Sequence, residues 1–341
     1  MINKRMKKVC FIGACGHWKQ AYHCLKKRQD LLLCGFAPGS AHEKLTKSIS
    51  PDLPFFANYE TMLDTVKPDL AIVSPVFGLT GQVILACAKR QIDVFAEKPI
   101  AATFEELDHV RASVLQSGIR FCAMHYLRYD PAFYHGAKLV RQGKIGKLKM
   151  ITAQKSYQYG VRPDWYGDRS LYCGTIPWVG IHAIDWISDF TGRRFQTVTA
   201  QSVGENPEMA ALCQFTLDGD IIASANIDFY RPESAPTHGD DRIRCVGTEG
   251  VLEVCRGNIS LMNKDGVFEF RPNTAPELLT EFLDDGECIS TDEIFHIAAV
   301  ALAAKQSAEL GKTTSMSGQP ISFRQLFKLP KIRGEYSLFK R

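Results

Sequence analysis

Residues 8–18 read KVCFIGACGHW, and the fold of the chain turns on that stretch. Lys8 to Ile12 form a short apolar run of strand character that stops at Gly13. A tight turn, Gly13-Ala14-Cys15-Gly16, follows, and residues 17–28 carry a helical pattern. Strand, turn and helix in this order leave free backbone N–H groups at the positive end of a helix dipole, where a pyrophosphate can sit. The full dinucleotide fingerprint is Gly-x-Gly-x-x-Gly. Here Gly13 holds the first position, Cys15 the second and Trp18 the third, while Gly16 offers close backbone approach one residue late. Gly13, Cys15, Gly16, His17 and Trp18 are the candidate phosphate-side residues. An ordinary strand–helix turn with no ligand is the competing reading of this segment alone.

Outward from the turn, strand and helix patterns alternate. LLLCGFA (31–37), LAIVSPV (70–76), DVFAE (93–97) and RFCAMHY (120–126) are apolar runs, with helices expected over 80–90 and 104–116. Uninterrupted apolar strands separated by helices predict a parallel sheet covered on both faces, the doubly wound α/β architecture. The second half differs. A helix near 131–142, a strand over 147–157, an aromatic-rich loop over 158–178 and a helix near 181–190 lead into closely spaced strand patterns over 196–270, then a long helix over 291–310. The expected fold is α/β: a doubly wound Rossmann domain over 1–128 and an α+β domain over 129–323 with a large, mainly antiparallel open sheet. A basic tail covers 324–341.

Composition narrows the function. A net charge of +4 over 341 residues is too weak a field to indicate nucleic acid. No segment approaches the ~20 apolar residues of a membrane span, and the start carries no secretory pattern. The eleven cysteines are odd in number and scattered, which supports neither a disulfide framework nor a zinc site. A cytoplasmic protein with no metal is expected. At the end of the second strand, Ala37 and Ser40 face the expected cofactor, but Phe36-Ala37-Pro38-Gly39-Ser40 offers no acid for a ribose 2′-hydroxyl. Ser40, His42 or Lys44 could meet a 2′-phosphate, so NADP is at least as well supported as NAD.

Three further stretches sharpen the expectation: Ala96-Glu97-Lys98-Pro99, His125-Tyr126-Leu127-Arg128-Tyr129-Asp130-Pro131, and Gly180-Ile181-His182-Ala183-Ile184-Asp185-Trp186. In this order and spacing the chain, from about residue 7 to 312, resembles the Gfo/Idh/MocA family of oxidoreductases. The resemblance implies hydride transfer between NAD or NADP and a hydroxyl of a sugar, cyclitol or related compound. It also implies homo-oligomers assembled through the C-terminal sheet. It makes Lys98 the catalytic lysine, Glu97 and Pro99 its structural neighbours, and His182 the catalytic histidine. The chain departs from the family where an aspartate usually stands four residues before the histidine; Trp178 is there. Ser74-Pro75-Val76 replaces the usual Thr-Pro-Asn, and Thr80 aligns with the histidine usual a few residues on. Ser74, Pro75, Glu97 and Lys98 complete the expected cofactor set.

The chemistry supports the same assignment independently. Oxidising an alcohol needs a group that takes the hydroxyl proton as hydride leaves carbon; a histidine suits that task, and a lysine at a strand's carboxyl end can polarise the hydroxyl. His182 is therefore the expected acid/base and Lys98 the polarising group. Tyr126, Arg162, Trp165, Trp178 and His182 are the expected contacts to a small polyhydroxylated substrate, with Asp185 either orienting His182 or structural and Arg128 paired with Asp130 or another acid. Two rival readings stay open: an NAD-dependent glycoside-cleaving enzyme that oxidises its sugar transiently, and a non-catalytic dinucleotide-binding sensor or scaffold.

Overall fold

β1 (Lys7–Ile12) is buried over its last four residues because it lies inside a sheet. β2 (Leu31–Ala37) pairs with it on one side and β3 (Leu70–Val73) on the other, both parallel. β4 (Asp93–Ala96) and β5 (Phe121–Ala123) continue the sheet in parallel, giving the order β2-β1-β3-β4-β5. The intervening helices are α1 (Trp18–Leu25), α2 (Tyr59–Val66), α3 (Thr80–Lys89) and α4 (Phe104–Ser117). The structure is a computed structural model that describes residues 6–50, 52–204 and 207–317; the basic tail at 324–341 lies outside the described residues. Helix α2 falls in a connection for which the sequence predicts no element. It is only eight residues long, and it starts where the Asn58 side chain accepts the Thr61 N–H at 2.9 Å.

The second half begins with α5 (Pro131–Arg141), β6 (Leu148–Tyr157), α6 (Arg169–Tyr172) and α7 (Ile181–Thr191). Strands β7 (Phe195–Val203), β8 (Ala210–Leu217), β9 (Ile221–Asp228), β10 (Gly239–Gly247), β11 (Gly250–Cys255), β12 (Asn258–Asn263) and β13 (Gly266–Phe270) then build a second sheet. Helices α8 (Leu278–Leu283) and α9 (Thr291–Leu310) follow, and β14 (Thr314–Ser315) closes the far edge. The order is β13-β12-β11-β10-β6-β9-β8-β7-β14. All neighbours are antiparallel except β6 and β9, which run parallel. Buried and exposed residues alternate along β8 and β9, as a sheet with one covered face requires. Helices α5, α7 and α9 cover that face.

One buried ion cluster ties these helices to the end of the first sheet. Arg128, in the turn after β5, reaches Asp185 of α7 at 2.7 Å, Glu293 of α9 at 2.8 Å and Asp189 at 3.7 Å. Asp130 does not join it: its carboxylate accepts the Ala132 N–H and starts α5. Asp185 is thus engaged by Arg128, and the histidine beside it is the buried His125, with Nδ1 at 3.5 Å, rather than His182. Removing one member of a buried charged set leaves the rest uncompensated, typically at a cost of about 3–5 kcal/mol. Asp185→Ala is therefore expected to lower unfolding free energy by about 3 kcal/mol in urea titration; a loss below about 1 kcal/mol would show that the cluster does not hold α7 in place.

Candidate active site

The turn after β1 is fastened from two sides. Gly13 donates its N–H to Ala37 O at 2.8 Å, and Cys15 donates to Ser74 O at 2.8 Å while Ser74 Oγ donates back to Cys15 O at 2.8 Å. Gly13 adopts φ +81, and a Cβ there would stand 2.4 Å from Ser74 O and 2.5 Å from Pro75. Only glycine lets the turn come this close to the end of β3. Ala37, Ser74 and Pro75 thus form the floor of the turn. Trp18, at the crowded third position of the fingerprint, is buried and stacks on Phe36 with ring centroids 6.2 Å apart, so its bulk packs against β2.

Gly16, at φ +61, has a second constraint: a Cβ would meet Glu97 Oε2 at 2.1 Å and the Trp178 ring at 3.0 Å. Glu97 follows β4 and is fully buried. Its Oε2 accepts the His17 N–H at 2.5 Å and contacts His17 Nδ1 at 2.9 Å, while Oε1 accepts the Lys98 N–H at 2.9 Å. Burial alone would raise the Glu97 carboxyl, but His17 and Lys98 outweigh it and hold it below the usual carboxylate range. His17 is thereby fixed at the head of α1, its ring 5.7 Å from Tyr126 and 5.7 Å edge-on to His182.

Lys98 is also buried. Its Nζ donates to Trp178 O at 2.7 Å and lies 3.2 Å from the centroid of the Trp178 ring, a contact worth up to about 2 kcal/mol when dry. The opposite partner of that indole is Phe77, stacked at 3.5 Å. Trp178 therefore fills a planar slot between Phe77, Lys98 and Gly16. It sits in a π-helical turn, Ile176–Gly180, leading into α7. That irregular turn was not legible in the sequence, yet it is what aims the Trp178 carbonyl at Lys98.

Burial moves the Lys98 ammonium down to about 7; Glu97 opposes that shift and Lys155 adds to it. His182, the second residue of α7, is buried with Nδ1 unpartnered. Burial, then Lys98, Lys155, His17 and His125, keeps its ring neutral well below the ordinary histidine range. Lys155, on β6, is a residue that sequence reasoning passed over. It is fully buried, pairs with Asp241 Oδ2 at 2.5 Å and lies over the Tyr157 and Trp186 rings. A signal existed: Ile151, Ala153 and Lys155 alternate on the covered face of β6, so a lysine occupies a core register.

The other expected substrate contacts are less central. Tyr126 packs on Phe95 and carries a buried hydroxyl with no partner. Trp165 meets Phe77 edge-on at 5.0 Å, and Arg162 lies over Tyr159, Tyr166 and Phe229, one aromatic layer further out. Ser40 Oγ accepts the His42 N–H at 3.3 Å and also bonds the Glu43 carboxyl. The glycines at 13 and 16 let the turn pack directly on the ends of β3 and β4, which holds the backbone N–H groups at the head of α1 beside Lys98 and His182.

Comparison with known proteins bears on this arrangement. Residues 7–125 match the profile of the oxidoreductase family with NAD-binding Rossmann fold, and residues 135–253 match the GFO/IDH/MocA C-terminal domain. A solved oxidoreductase-class structure from Thermotoga maritima is 38% identical, with a TM-score of 0.86 over 91% of this chain and 100% of that one. A scyllo-inositol 2-dehydrogenase (NADP(+)) of Bacillus subtilis is 25% identical over 56% of this chain and 55% of its own. A 2,7-anhydro-N-acetylneuraminate hydratase of Mediterraneibacter gnavus is 29% identical over 61% and 59%. The chain thus spans little more than half the length of these curated relatives. Among the described residues no helix is long and apolar enough to cross a membrane.

Gly16→Ala provides a check on the crevice. Left-handed backbone costs a residue with a Cβ roughly 1 kcal/mol, and the methyl would also displace the Glu97 carboxylate. NADH affinity by calorimetry is expected to fall by at least roughly tenfold; unchanged affinity would mean that the dinucleotide does not lie over this turn.

Proposed function

Since this chain belongs to the Gfo/Idh/MocA family of NAD-binding Rossmann oxidoreductases, we propose that it transfers a hydride between a nicotinamide dinucleotide and a hydroxyl carbon of a sugar, cyclitol or derivative. One observation carries the reading: a buried lysine that titrates near neutrality faces a buried, neutral histidine beside the phosphate-binding turn. Perturbed groups of this kind in a crevice are the mark of proton-transfer sites. The nicotinamide, when bound, supplies the acceptor for the hydride.

The protein's own groups handle the proton. In the oxidation direction neutral Lys98 takes the hydroxyl proton as the C–H bond gives up its electron pair, and the alcohol becomes a carbonyl. His182 stays neutral and, with its proton on Nδ1, donates a hydrogen bond to the hydroxyl oxygen, which orients it. This division reverses the sequence-based expectation, which gave the proton to His182. The reason is burial first: it holds His182 well below the ordinary histidine range, with the neighbouring basic groups adding to it, whereas Glu97 opposes the fall of Lys98 and leaves it at about 7. Trp178 covers Lys98, with Phe77 stacked on its other side, and so helps to keep the ammonium out of water. Trp165 borders the same aromatic layer through Phe77, with Arg162 one layer further out and Tyr126 on the His17 side.

A second reading, transient oxidation followed by elimination and bond cleavage or hydration, is favoured by the relative named as a hydratase. It needs a further base, and His17, fixed on Glu97, is close to His182. Both readings share the first hydride step. We also infer that copies meet through the outer face of the nine-stranded sheet, where Met150, Leu212 and Ile222 are exposed. The eleven free cysteines support a reducing, cytoplasmic setting.

The proton assignment has a pH signature. Oxidation uses neutral Lys98, so kcat/KM should rise with pH through a midpoint at about 7. Reduction uses the ammonium and should fall through the same point. Lys155→Met removes a cation that depresses Lys98, so the midpoint should move upward. A profile that is flat between pH 6 and 9, or unmoved by Lys155→Met, would contradict the assignment. On the oligomer, Ile222→Arg is expected to reduce the mass seen by light scattering to that of one chain; unchanged mass would exclude that face.

A further inference from the structure

The loop after β2 carries an acid that the hydride reading does not use. Glu43 turns back over the carboxyl ends of three strands. Its Oε1 accepts the Val76 N–H at 3.1 Å and stands 3.0 Å from where a Cβ on Gly39 would lie. The Ala14 and Gly39 amides also face this carboxylate. Ala14 follows β1, Gly39 follows β2 and Val76 follows β3, so the carboxylate sits where the three ends converge. The other oxygen, Oε2, is buried and has no hydrogen-bond partner. No lysine, arginine or histidine pairs with Glu43 among the described residues: Lys44 and His42, its basic neighbours in sequence, are exposed.

A partly buried carboxylate with an unused acceptor and no counter-charge is costly to keep. Desolvation pushes the Glu43 carboxyl up to about 7, against the pull of the three amides and the Ser40 hydroxyl. A ligand that donates hydrogen bonds would relieve that cost. In an open parallel sheet a dinucleotide with its pyrophosphate over the first turn brings its adenosine ribose to the end of the second strand. The ribose diol presents two O–H donors there, and a 2′-phosphate presents two negative charges instead.

We propose that Glu43 is the acceptor for the adenosine ribose diol and makes this chain select NAD over NADP. The proposal rests on the dinucleotide reading of the same crevice. It also reverses the balance drawn from the sequence, where the missing acid at residues 36–40 left NADP at least as well supported. The acid is present, but it arrives from six residues beyond the strand, through a loop that folds back. Of the residues that could have met a 2′-phosphate, Ser40 turns its hydroxyl to Glu43 and the exposed His42 and Lys44 make no ion pair with it among the described residues.

Calorimetry on the wild-type protein with NADH and NADPH, repeated on Glu43→Gln, decides the matter. Glutamine keeps the shape and the acceptor but removes the charge. Wild type is expected to bind NADH at least roughly tenfold more tightly than NADPH, and Glu43→Gln should bring the two within roughly threefold, mainly by tightening NADPH. Equal affinities in wild type overturn the proposal and leave the dinucleotide reading standing. An equal loss of both affinities in Glu43→Gln also overturns it, since Glu43 would then merely hold the loop. Failure of wild type to bind either nucleotide at millimolar concentration overturns the dinucleotide reading itself, and this proposal with it.

Discussion

Glu97 gives up all contact with water and receives three hydrogen bonds in exchange, from the backbone and ring of His17 and the backbone of Lys98. A buried carboxylate without such partners costs several kcal/mol, so the geometry around it is not free to drift. Glu97 ends β4 and His17 heads α1. Their contact sets the separation between the turn after β1 and the lysine that follows Glu97. It also explains why residue 16 has no room for a side chain. The same negative charge keeps the Lys98 ammonium from being pushed even lower by burial.

The second sheet enters this arrangement through one turn. Thr175 donates its N–H to Glu208 Oε2 at 2.9 Å and its hydroxyl to Glu208 O, and Trp178 donates its N–H to Gly174 O. Glu208 precedes β8, so the nine-stranded sheet holds the π-helical turn from behind. Such turns occur mostly where a function needs a backbone group re-aimed. Here the re-aimed group is the Trp178 carbonyl on Lys98, with the indole closing over the same ammonium. The lysine from one sheet and the tryptophan carried by the other thus form a single contact.

What the sequence made legible is local. The strand–turn–helix at 8–28, the uninterrupted apolar strands of the parallel sheet, and the long helix over 291–310 all follow from short-range patterns, and each is present. The parallel pairing of β6 with β9 was not legible, since nothing in either strand records its partner's direction. The aromatic loop at 158–178 was visible as a composition, but its sense was not: Phe77, in a different turn, decides where Trp178 lies. Lys155 was missed because a lone lysine in a strand usually faces water, and only the period-two register with Ile151 and Ala153 says otherwise. Glu43 was missed because the fingerprint looks for an acid at the strand end, while the loop delivers one from further along. Arg128 found other acids than its sequence neighbour, because α7 and α9 bring Asp185 and Glu293 to it.

The central claim is that a carbon-bound hydrogen passes from substrate to cofactor beside Lys98. The most direct measurement incubates the protein with NAD and a panel of carbon-deuterated sugars and cyclitols, then weighs the recovered cofactor by mass spectrometry. The account predicts reduced cofactor one deuteron heavier for at least one member of the panel, with the label lost when Lys98 is replaced by alanine. Bound cofactor that never acquires deuterium from any member of the panel, or label that survives Lys98→Ala undiminished, would contradict it.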